Sequence, residues 1–169
     1  MRCFYLLFVF LISLGCSSIV TDHDEASHKV VLAYVTSWTL DVPDPTFITH
    51  INYAFGHVNE DFNGIMIDNE ERLNLMVDLK KEKPTLKVLL SIGGWGSDRF
   101  SEMAANVTSR KAFALDCKRV VDQFKLDGID LDWEYPTSSM ANISSSPNDK
   151  DNFTHLVRDI REVIGNDKL

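Results

Sequence analysis

The sequence predicts an α/β fold in which parallel strands alternate with helices. Apolar, β-branched runs of strand length recur along the chain, and segments with helically spaced apolar residues lie between them. Strands that are separated by helices form parallel βα units, and four such units are expected. The chain has 169 residues, of which 44% are hydrophobic and 25% charged, and this is enough for one domain with a true core.

The first two predicted strands cover residues 29–36 and 48–58, and the connection between them carries only a weak helical signal. Asp68, with Glu71 three residues later, predicts the cap of the first helix. The third strand, residues 86–92, is almost entirely apolar, as expected when both of its faces are buried. The apolar stripe of the first helix consists of Leu73, Met76 and Leu79.

The second half of the chain repeats this pattern. Ser109 is the predicted cap of a long helix, the fourth strand covers residues 126–133, and Asp149 or Lys150 begins the last helix. Four βα units amount to half of a (β/α)₈ barrel, which typically needs roughly 250 residues. Half of a barrel and an open four-stranded parallel sheet both fit this succession of elements.

Residues 1–15 have the pattern of an export signal and not of a folded segment. A positively charged start is followed by an apolar run that is too short to span a bilayer as a helix. The run ends in Gly15-Cys16, which resembles a bacterial lipoprotein box, although Ser13 stands where that box has Leu. We expect acylation of Cys16, a flexible tether over residues 16–28, and anchoring at the cell surface or in the periplasm. An ordinary cleaved signal followed by secretion is the alternative.

The charge of the chain limits its partners. Its formal net charge is −8, and its Lys and Arg residues form no cluster, so it lacks the electrostatic footprint of a nucleic-acid-binding protein. The same balance argues against binding to anionic lipid through a basic face, which leaves a lipid anchor as the expected contact with a membrane. An uncharged substrate fits this composition best.

The fourth predicted strand carries the residues with chemistry. Side chains alternate across a strand, so its acidic residues share one face and its apolar residues share the other. Successive acids lie about 6–7 Å apart, so their charges couple and at least one is expected to keep a proton near neutral pH. Glu134 stands at the C-terminal end, where barrel enzymes place catalysis, and is a candidate general acid. The first face holds Gly128, Asp130, Asp132 and Glu134, and the second holds Ile129, Leu131 and Trp133.

Two other interpretations of these acids are weaker. A solvated acidic stripe on an edge strand would not explain why the opposite face is apolar. Three carboxylates also suit Mg²⁺ or Ca²⁺, but no nearby His and no second acidic cluster supports a metal site. We therefore predict neither a metal nor a cofactor.

These residues resemble the signatures of family 18 glycoside hydrolases, the chitinases. The match on the fourth strand is Asp127-x-x-Asp130-x-Asp132-x-Glu134, followed by Tyr135-Pro136. The match at the end of the third strand is Ser91-Ile-Gly93-Gly94-Trp95. Softer matches on the first two strands are Ala33-Tyr34-Val-Thr-Ser-Trp38 and Asn52-Tyr53-Ala54-Phe55. The resemblance implies a (β/α)₈ barrel, of which residues 29–169 supply the first four βα units.

The resemblance also implies a reaction, the substrate-assisted hydrolysis of β-1,4-linked N-acetylglucosamine polymers or oligomers with retention of configuration. Glu134 would protonate the glycosidic oxygen, and the N-acetyl carbonyl of the substrate would act as the nucleophile. Asp132 would orient the acetamido N–H, and Asp130 would share a proton or a hydrogen bond with Asp132. The implied substrate-binding residues are Tyr34, Phe55 and Ser91 beneath the reacting sugar, Trp38 and Trp95 stacked on sugars, Gly93 and Gly94 at close backbone approach, and Tyr135.

Alternatives remain at two levels. Tyr34 and Phe55 are plain core aromatics in the simpler interpretation. A non-catalytic glycan-binding surface protein, or an endo-β-N-acetylglucosaminidase acting on protein-linked glycans, are the other functions. The intact acid set with Glu134 favours an enzyme, and the Trp133–Pro136 ending favours chitin-type substrates. We expect the chain to need the remaining half of the barrel, and to be poorly stable and inactive without it.

Overall fold

The computed structural model describes residues 29–169, so the expected export signal, the lipidation of Cys16 and the tether lie outside the described residues. The strands are β1 (Leu32–Thr36), β2 (His50–Val58), β3 (Ile65–Ile67), β4 (Lys87–Gly93) and β5 (Gly128–Asp132). The helices are α1 (Glu70–Asp78), α2 (Phe100–Ala105), α3 (Val107–Phe124) and α4 (Asp149–Ile164), with short 3₁₀ turns at Pro45–Phe47 and Leu79–Lys81. None of the helices within residues 29–169 is long and apolar enough to cross a membrane.

The sheet follows the chain without reversal. β1, β2, β4 and β5 are adjacent in that order and pair in parallel. Side chains such as Val35 and Leu90 on one face are buried in the core with the helices, whereas Leu32 and Tyr34 on the other face remain about half exposed. A doubly wound open sheet reverses its strand order and carries helices on both faces. Within residues 29–169 this sheet shows neither feature, so it is the first half of a (β/α)₈ barrel and not an open four-stranded sheet.

Both predicted helix caps are wrong by one to three residues. The cap of α1 is Asn69, whose side chain accepts a hydrogen bond from the backbone N–H of Arg72, and not Asp68. Asn69 has φ 55°, a left-handed conformation that Asn tolerates well. The cap of α3 is Asn106, which accepts from two backbone N–H groups including that of Ser109. Ser109 therefore lies inside the helix that it was predicted to begin.

Two elements were absent from the predicted pattern. β3 pairs antiparallel with the end of β2, and its three residues are too few to show alternation. α2 has six residues and precedes α3 directly, so the two helices resemble one irregular segment in sequence. The first strand also begins at Leu32 instead of residue 29. These differences leave the parallel order of the four main strands unchanged.

Candidate active site

The acidic residues of β5 lie on the inner face of the half barrel, as predicted. In the parallel pairing of β4 with β5, Ser91 is opposite Asp130 and Gly93 is opposite Asp132. Ile129 and Leu131 pack on the opposite, helix-covered side against the core. The alternation expected from the sequence is therefore confirmed, and the acids stand at the C-terminal ends of the strands, where barrel enzymes bind their substrates.

Asp130 is held by side chains from two other strands, the adjacent β4 and the more distant β1. One of its carboxylate oxygens, Oδ2, accepts a hydrogen bond from the Tyr34 hydroxyl at 2.9 Å and another from the Ser91 hydroxyl at 2.7 Å. The resemblance implied a bond between Asp130 and Asp132, but within the described residues the side-chain bonds of Asp130 go to these two hydroxyl groups. Ser91 is completely buried, and its hydroxyl contacts Asp130. Its place beneath a reacting sugar stays a prediction.

Tyr34 lies outside the core that the helices cover. Its side chain lies on the inner face and is 53% exposed, whereas Tyr53 on the next strand is fully buried among the helices. Partial burial raises the pKa of Tyr34, a hydrogen bond with Asn52 opposes the rise, and the charges of Asp130 and Asp132 add to it. Tyr34 therefore keeps its hydroxyl proton and donates a hydrogen bond to Asp130.

Asp132, the last residue of β5, lies between Asp130 on the same strand and Glu134 in the segment that follows. Burial, followed by the charges of Glu134 and Asp130, raises the pKa of this carboxyl above its ordinary value of 3.8. This is the direction expected when neighbouring carboxylates compete for ionisation. Within residues 29–169, no group of three or more His, Cys, Asp or Glu side chains is placed to hold a metal ion.

Asp132→Asn is expected to raise the free energy of unfolding at neutral pH. The folded state binds the proton of Asp132 more tightly than the unfolded chain does, so stability falls as pH rises from 3.8 through the raised pKa. The Asn variant carries no charge and avoids this loss of stability. The expected gain in the free energy of unfolding is less than about 1 kcal/mol, because the group is partly exposed and screened. Urea unfolding at about pH 7 and about pH 3 measures the effect, which should vanish at the lower pH, where Asp132 is already protonated.

Asp127→Asn is the matched control, for which the expected change in the free energy of unfolding has the opposite sign. Burial alone would raise the pKa of Asp127, but hydrogen bonds from Lys80, the Val88 N–H and Lys87 lower it overall. Its folded-state stabilisation is present above pH 3.8 and is lost as pH falls, so the variant should be less stable at neutral pH. Equal losses in the Asp132 and Asp127 variants would contradict the charge coupling on β5.

Aromatic rings also lie at the C-terminal ends of the strands. Trp38 follows β1 and Trp95 follows β4, and they are 67% and 64% exposed. The ring of Trp38 is 6.3 Å from that of Phe55, and the ring of Trp95 is 6.4 Å from that of Tyr135 in an edge-on arrangement. Four of the five predicted aromatic residues therefore form two pairs at the same end of the sheet, and the fifth, Tyr34, contacts Asp130.

The structure shows why residues 93 and 94 are glycines, which the sequence did not reveal. A Cβ at Gly93 would lie 2.1 Å from the carbonyl oxygen of Asp132, and the N–H of Gly94 donates to the same oxygen at 2.9 Å. A Cβ at Gly94 would lie 2.8 Å from the ring of Phe55. These glycines let the ends of β4 and β5 approach each other and let the Phe55 ring pack over the backbone.

Arg72 was missed by sequence reasoning. It is 7% exposed on α1, and its guanidinium donates to the carbonyl oxygens of Thr36 at 2.9 Å and Asp41 at 2.6 Å. These two carbonyls bracket the loop that carries Trp38. The side chain thus holds the backbone of that loop, but in sequence it resembles an ordinary exposed helix residue.

His57 contacts the loop that carries the second exposed tryptophan, Trp95. Its Nδ1 is 2.8 Å from the hydroxyl of Ser97, and its Nε2 is 3.2 Å from a carboxylate oxygen of Asp68. Ser97 belongs to the loop that carries Trp95. A lone histidine in a strand pattern carries no signal of such contacts, and the sequence indicated only a structural residue.

The fold and the site define an α/β-barrel protein with inward carboxylates and exposed aromatic rings at the C-terminal ends of its strands. The chain belongs to glycosyl hydrolases family 18, whose profile matches residues 30–169. This match covers the whole described part of the chain apart from its first residue.

Individual relatives agree with this family. Chitinase A1 of Niallia circulans is 32% identical over 82% of this chain. The chitinase domain of a spore coat protein from Clostridium difficile is 37% identical, with a TM-score of 0.79 over 95% of this chain and 44% of that one. A family 18 N-acetylglucosaminidase from Paenibacillus barengoltzii is 45% identical, with a TM-score of 0.70 over 79% of this chain and 40% of its own. The chain spans only 28% of Chitinase A1 and 31% of Probable chitinase 2 of Drosophila melanogaster.

Proposed function

We propose that residues 29–169 form the catalytic half of a glycoside hydrolase that cleaves β-1,4-linked N-acetylglucosamine polymers or oligomers. The observation that carries this proposal is the set of Asp130 and Asp132 on the inner face of β5 and Glu134 two residues beyond its C-terminal end, with Asp130 held by Tyr34 and Ser91. The names of the relatives, which are chitinases or an N-acetylglucosaminidase, support the substrate class.

The proposed reaction uses one protein acid and one substrate nucleophile. Glu134 donates its proton to the glycosidic oxygen as the bond from that oxygen to C1 breaks. The carbonyl oxygen of the substrate's N-acetyl group bonds to C1 and forms a cyclic oxazolinium intermediate. The Glu134 carboxylate then takes a proton from water, whose oxygen opens the ring at C1 from the original side. The configuration at C1 is therefore retained, and the enzyme returns to its starting protonation state.

Asp132 stabilises the positive charge that develops on the acetamido group and orients its N–H. Its raised pKa lets it respond to that charge, because a cation beside it favours the ionised carboxylate. Asp130 is fixed by its two hydroxyl donors and supplies a stationary negative charge two residues away on the same face.

The aromatic rings supply the binding surface of the proposed site. Trp38, Trp95 and Tyr135 are exposed and stand at the strand ends, where their faces can stack on sugar rings. Tyr34 contacts Asp130 directly, and we place it and Phe55 beneath the reacting sugar. The aromatic pairs Trp38–Phe55 and Trp95–Tyr135 would then contact sugars on opposite sides of the scissile bond.

Export belongs to the same proposal. An extracellular or periplasmic enzyme meets polymeric glycans that do not enter cells, and residues 1–15 with Cys16 have the pattern of a lipoprotein export signal. We also propose that hydrolysis needs the complete barrel, because the cleft of a (β/α)₈ enzyme draws on loops from all eight strands.

Comparison of two substrates tests the proposed specificity. The complete barrel protein should release short oligosaccharides from N-acetylated chito-oligosaccharides and leave the N-glycans of a native glycoprotein intact. Mass spectrometry of both product mixtures measures this. Release of N-glycans without cleavage of chito-oligosaccharides would instead identify an endoglycosidase that acts on protein-linked glycans, and cleavage of neither would remove the hydrolase assignment.

A further inference from the structure

A buried carboxylate outside the proposed reaction holds the chain that follows Glu134. Asp149, in the first turn of α4, has no exposed surface. Its Oδ1 accepts a hydrogen bond from the Ser101 hydroxyl at 2.7 Å. Its Oδ2 accepts from the backbone N–H groups of Thr137 at 3.1 Å and Ser146 at 2.7 Å. Burial of a carboxylate is costly unless its oxygens are hydrogen-bonded, and here both are.

The three donors come from three separate segments. Ser101 lies on α2, Thr137 lies in the loop after β5, and Ser146 precedes α4. Thr137 is three residues beyond Glu134 and has φ 64°. This left-handed conformation is unfavourable for a β-branched residue and persists only where the surroundings enforce it. The hydrogen bond from its N–H to Asp149 is one contact that does so.

The chain just before Glu134 is held by the same two helices. Trp133 is 5% exposed, and its ring stacks on Phe100 of α2 at 5.3 Å and meets Phe153 of α4 edge-on at 5.8 Å. Phe100 is adjacent to Ser101, and Phe153 is one helical turn beyond Asp149. Helices α2 and α4 therefore contact the chain on both sides of Glu134. They pack against Trp133 before it, and Asp149 of α4 accepts a hydrogen bond from Thr137 after it.

We infer that Asp149 is a positioning residue that sets the location of Glu134 by fixing the loop at Thr137. The catalytic consequence rests on the proposed function, but the positional effect does not. A displacement of the acid by about 1 Å would be enough to slow general acid catalysis by roughly two orders of magnitude.

Two substitutions separate geometry from charge. Asp149→Ala leaves three donors without an acceptor. Asp149→Asn keeps the pattern, because its carbonyl oxygen can accept both backbone N–H groups while its amide donates to a Ser101 hydroxyl that turns to accept. In the complete barrel protein, we expect Ala to lower kcat by about 10- to 100-fold with KM within about twofold, and Asn to restore most of kcat.

Asp159→Ala is the matched control. Asp159 is on the same helix and accepts a hydrogen bond from Arg110 at 2.7 Å, and none of the hydrogen bonds of these two residues within residues 29–169 goes to the loop after β5. Both Ala variants should lower Tm, and only Asp149→Ala should lower kcat when each is assayed well below its own Tm. Equal kcat values in the two Ala variants, or an Asn variant as slow as Asp149→Ala, would overturn the positioning role.

A second readout does not depend on turnover. Amide chemical shifts from NMR should change at Glu134 and Tyr135 in Asp149→Ala, return towards the parent values in Asp149→Asn, and stay unchanged in Asp159→Ala. Changes in Asp149→Ala confined to Thr137, Ser146 and Ser101 would contradict the inference. Absence of turnover in the parent protein would count against the proposed function alone, since the shifts still decide the position of Glu134.

Discussion

Glu134→Gln is expected to lower the rate of chito-oligosaccharide hydrolysis by about 10²- to 10⁴-fold while leaving oligosaccharide binding nearly unchanged. The amide has the shape of the acid but no acidic proton for the glycosidic oxygen. The exposed rings of Trp38 and Trp95, which are expected to provide binding, are not altered. Initial-rate kinetics of the complete barrel protein measure the loss, and calorimetric titration with the same oligosaccharide measures the binding.

Glu162→Gln is the control for this experiment. Glu162 is exposed on α4 on the helix-covered side of the sheet, away from the acids of β5. It should retain the parent rate, so that the loss in Glu134→Gln reports on the acid and not on net charge. A Glu134→Gln variant with near-parent turnover would contradict the assignment. A parent protein that binds the oligosaccharide without cleaving it would favour a non-catalytic glycan-binding function.

Gly93→Ala is expected to destabilise the protein by about 3 kcal/mol or more. The new Cβ would lie 2.1 Å from the carbonyl oxygen of Asp132, and both partners are strand ends with little freedom to move. The left-handed backbone at Gly93, with φ 130°, adds a second penalty for any residue with a Cβ. Urea unfolding followed by circular dichroism measures the change.

Gly96→Ala separates the clash from the backbone penalty. Gly96 also has positive φ, at 80°, but a Cβ there would lie 3.8 Å from its nearest neighbour atom, the carbonyl oxygen of Ala141. Its expected loss is therefore about 1–2 kcal/mol, from backbone conformation alone. Equal losses at the two glycines would mean that the close approach of β4 to β5 does not account for Gly93.

The acid row was predictable because a strand fixes the side of every second residue. Ile129 and Leu131 alternate with Asp130 and Asp132, so the apolar pair requires the acids to face inward. The sequence pattern continues this alternation to Glu134, but the observed strand ends two residues earlier, at Asp132. The period of the pattern therefore gave both the face and the order of the acids without information from other parts of the chain.

The burial of individual side chains and their hydrogen-bond partners were not predictable in the same way. A motif identified Ser91 but could not show that it is completely buried beneath Asp130. Arg72 and the carbonyl of Thr36 are 36 positions apart in the chain, so their hydrogen bond has no local signal. Asp68 and Asn69 are both good capping residues, and only the contact of Asp68 with His57 separates their roles.

The cleavage of two matched tetrasaccharides tests substrate-assisted catalysis most directly. One is fully N-acetylated and the other is its de-N-acetylated counterpart, and ¹H NMR follows both the rate and the anomeric form of the first product of the complete barrel protein. The proposed mechanism predicts rapid cleavage of the acetylated compound with retained β-configuration, and no cleavage of the other, because the nucleophile is then missing. Equal cleavage of both compounds, or an inverted first product, would contradict it.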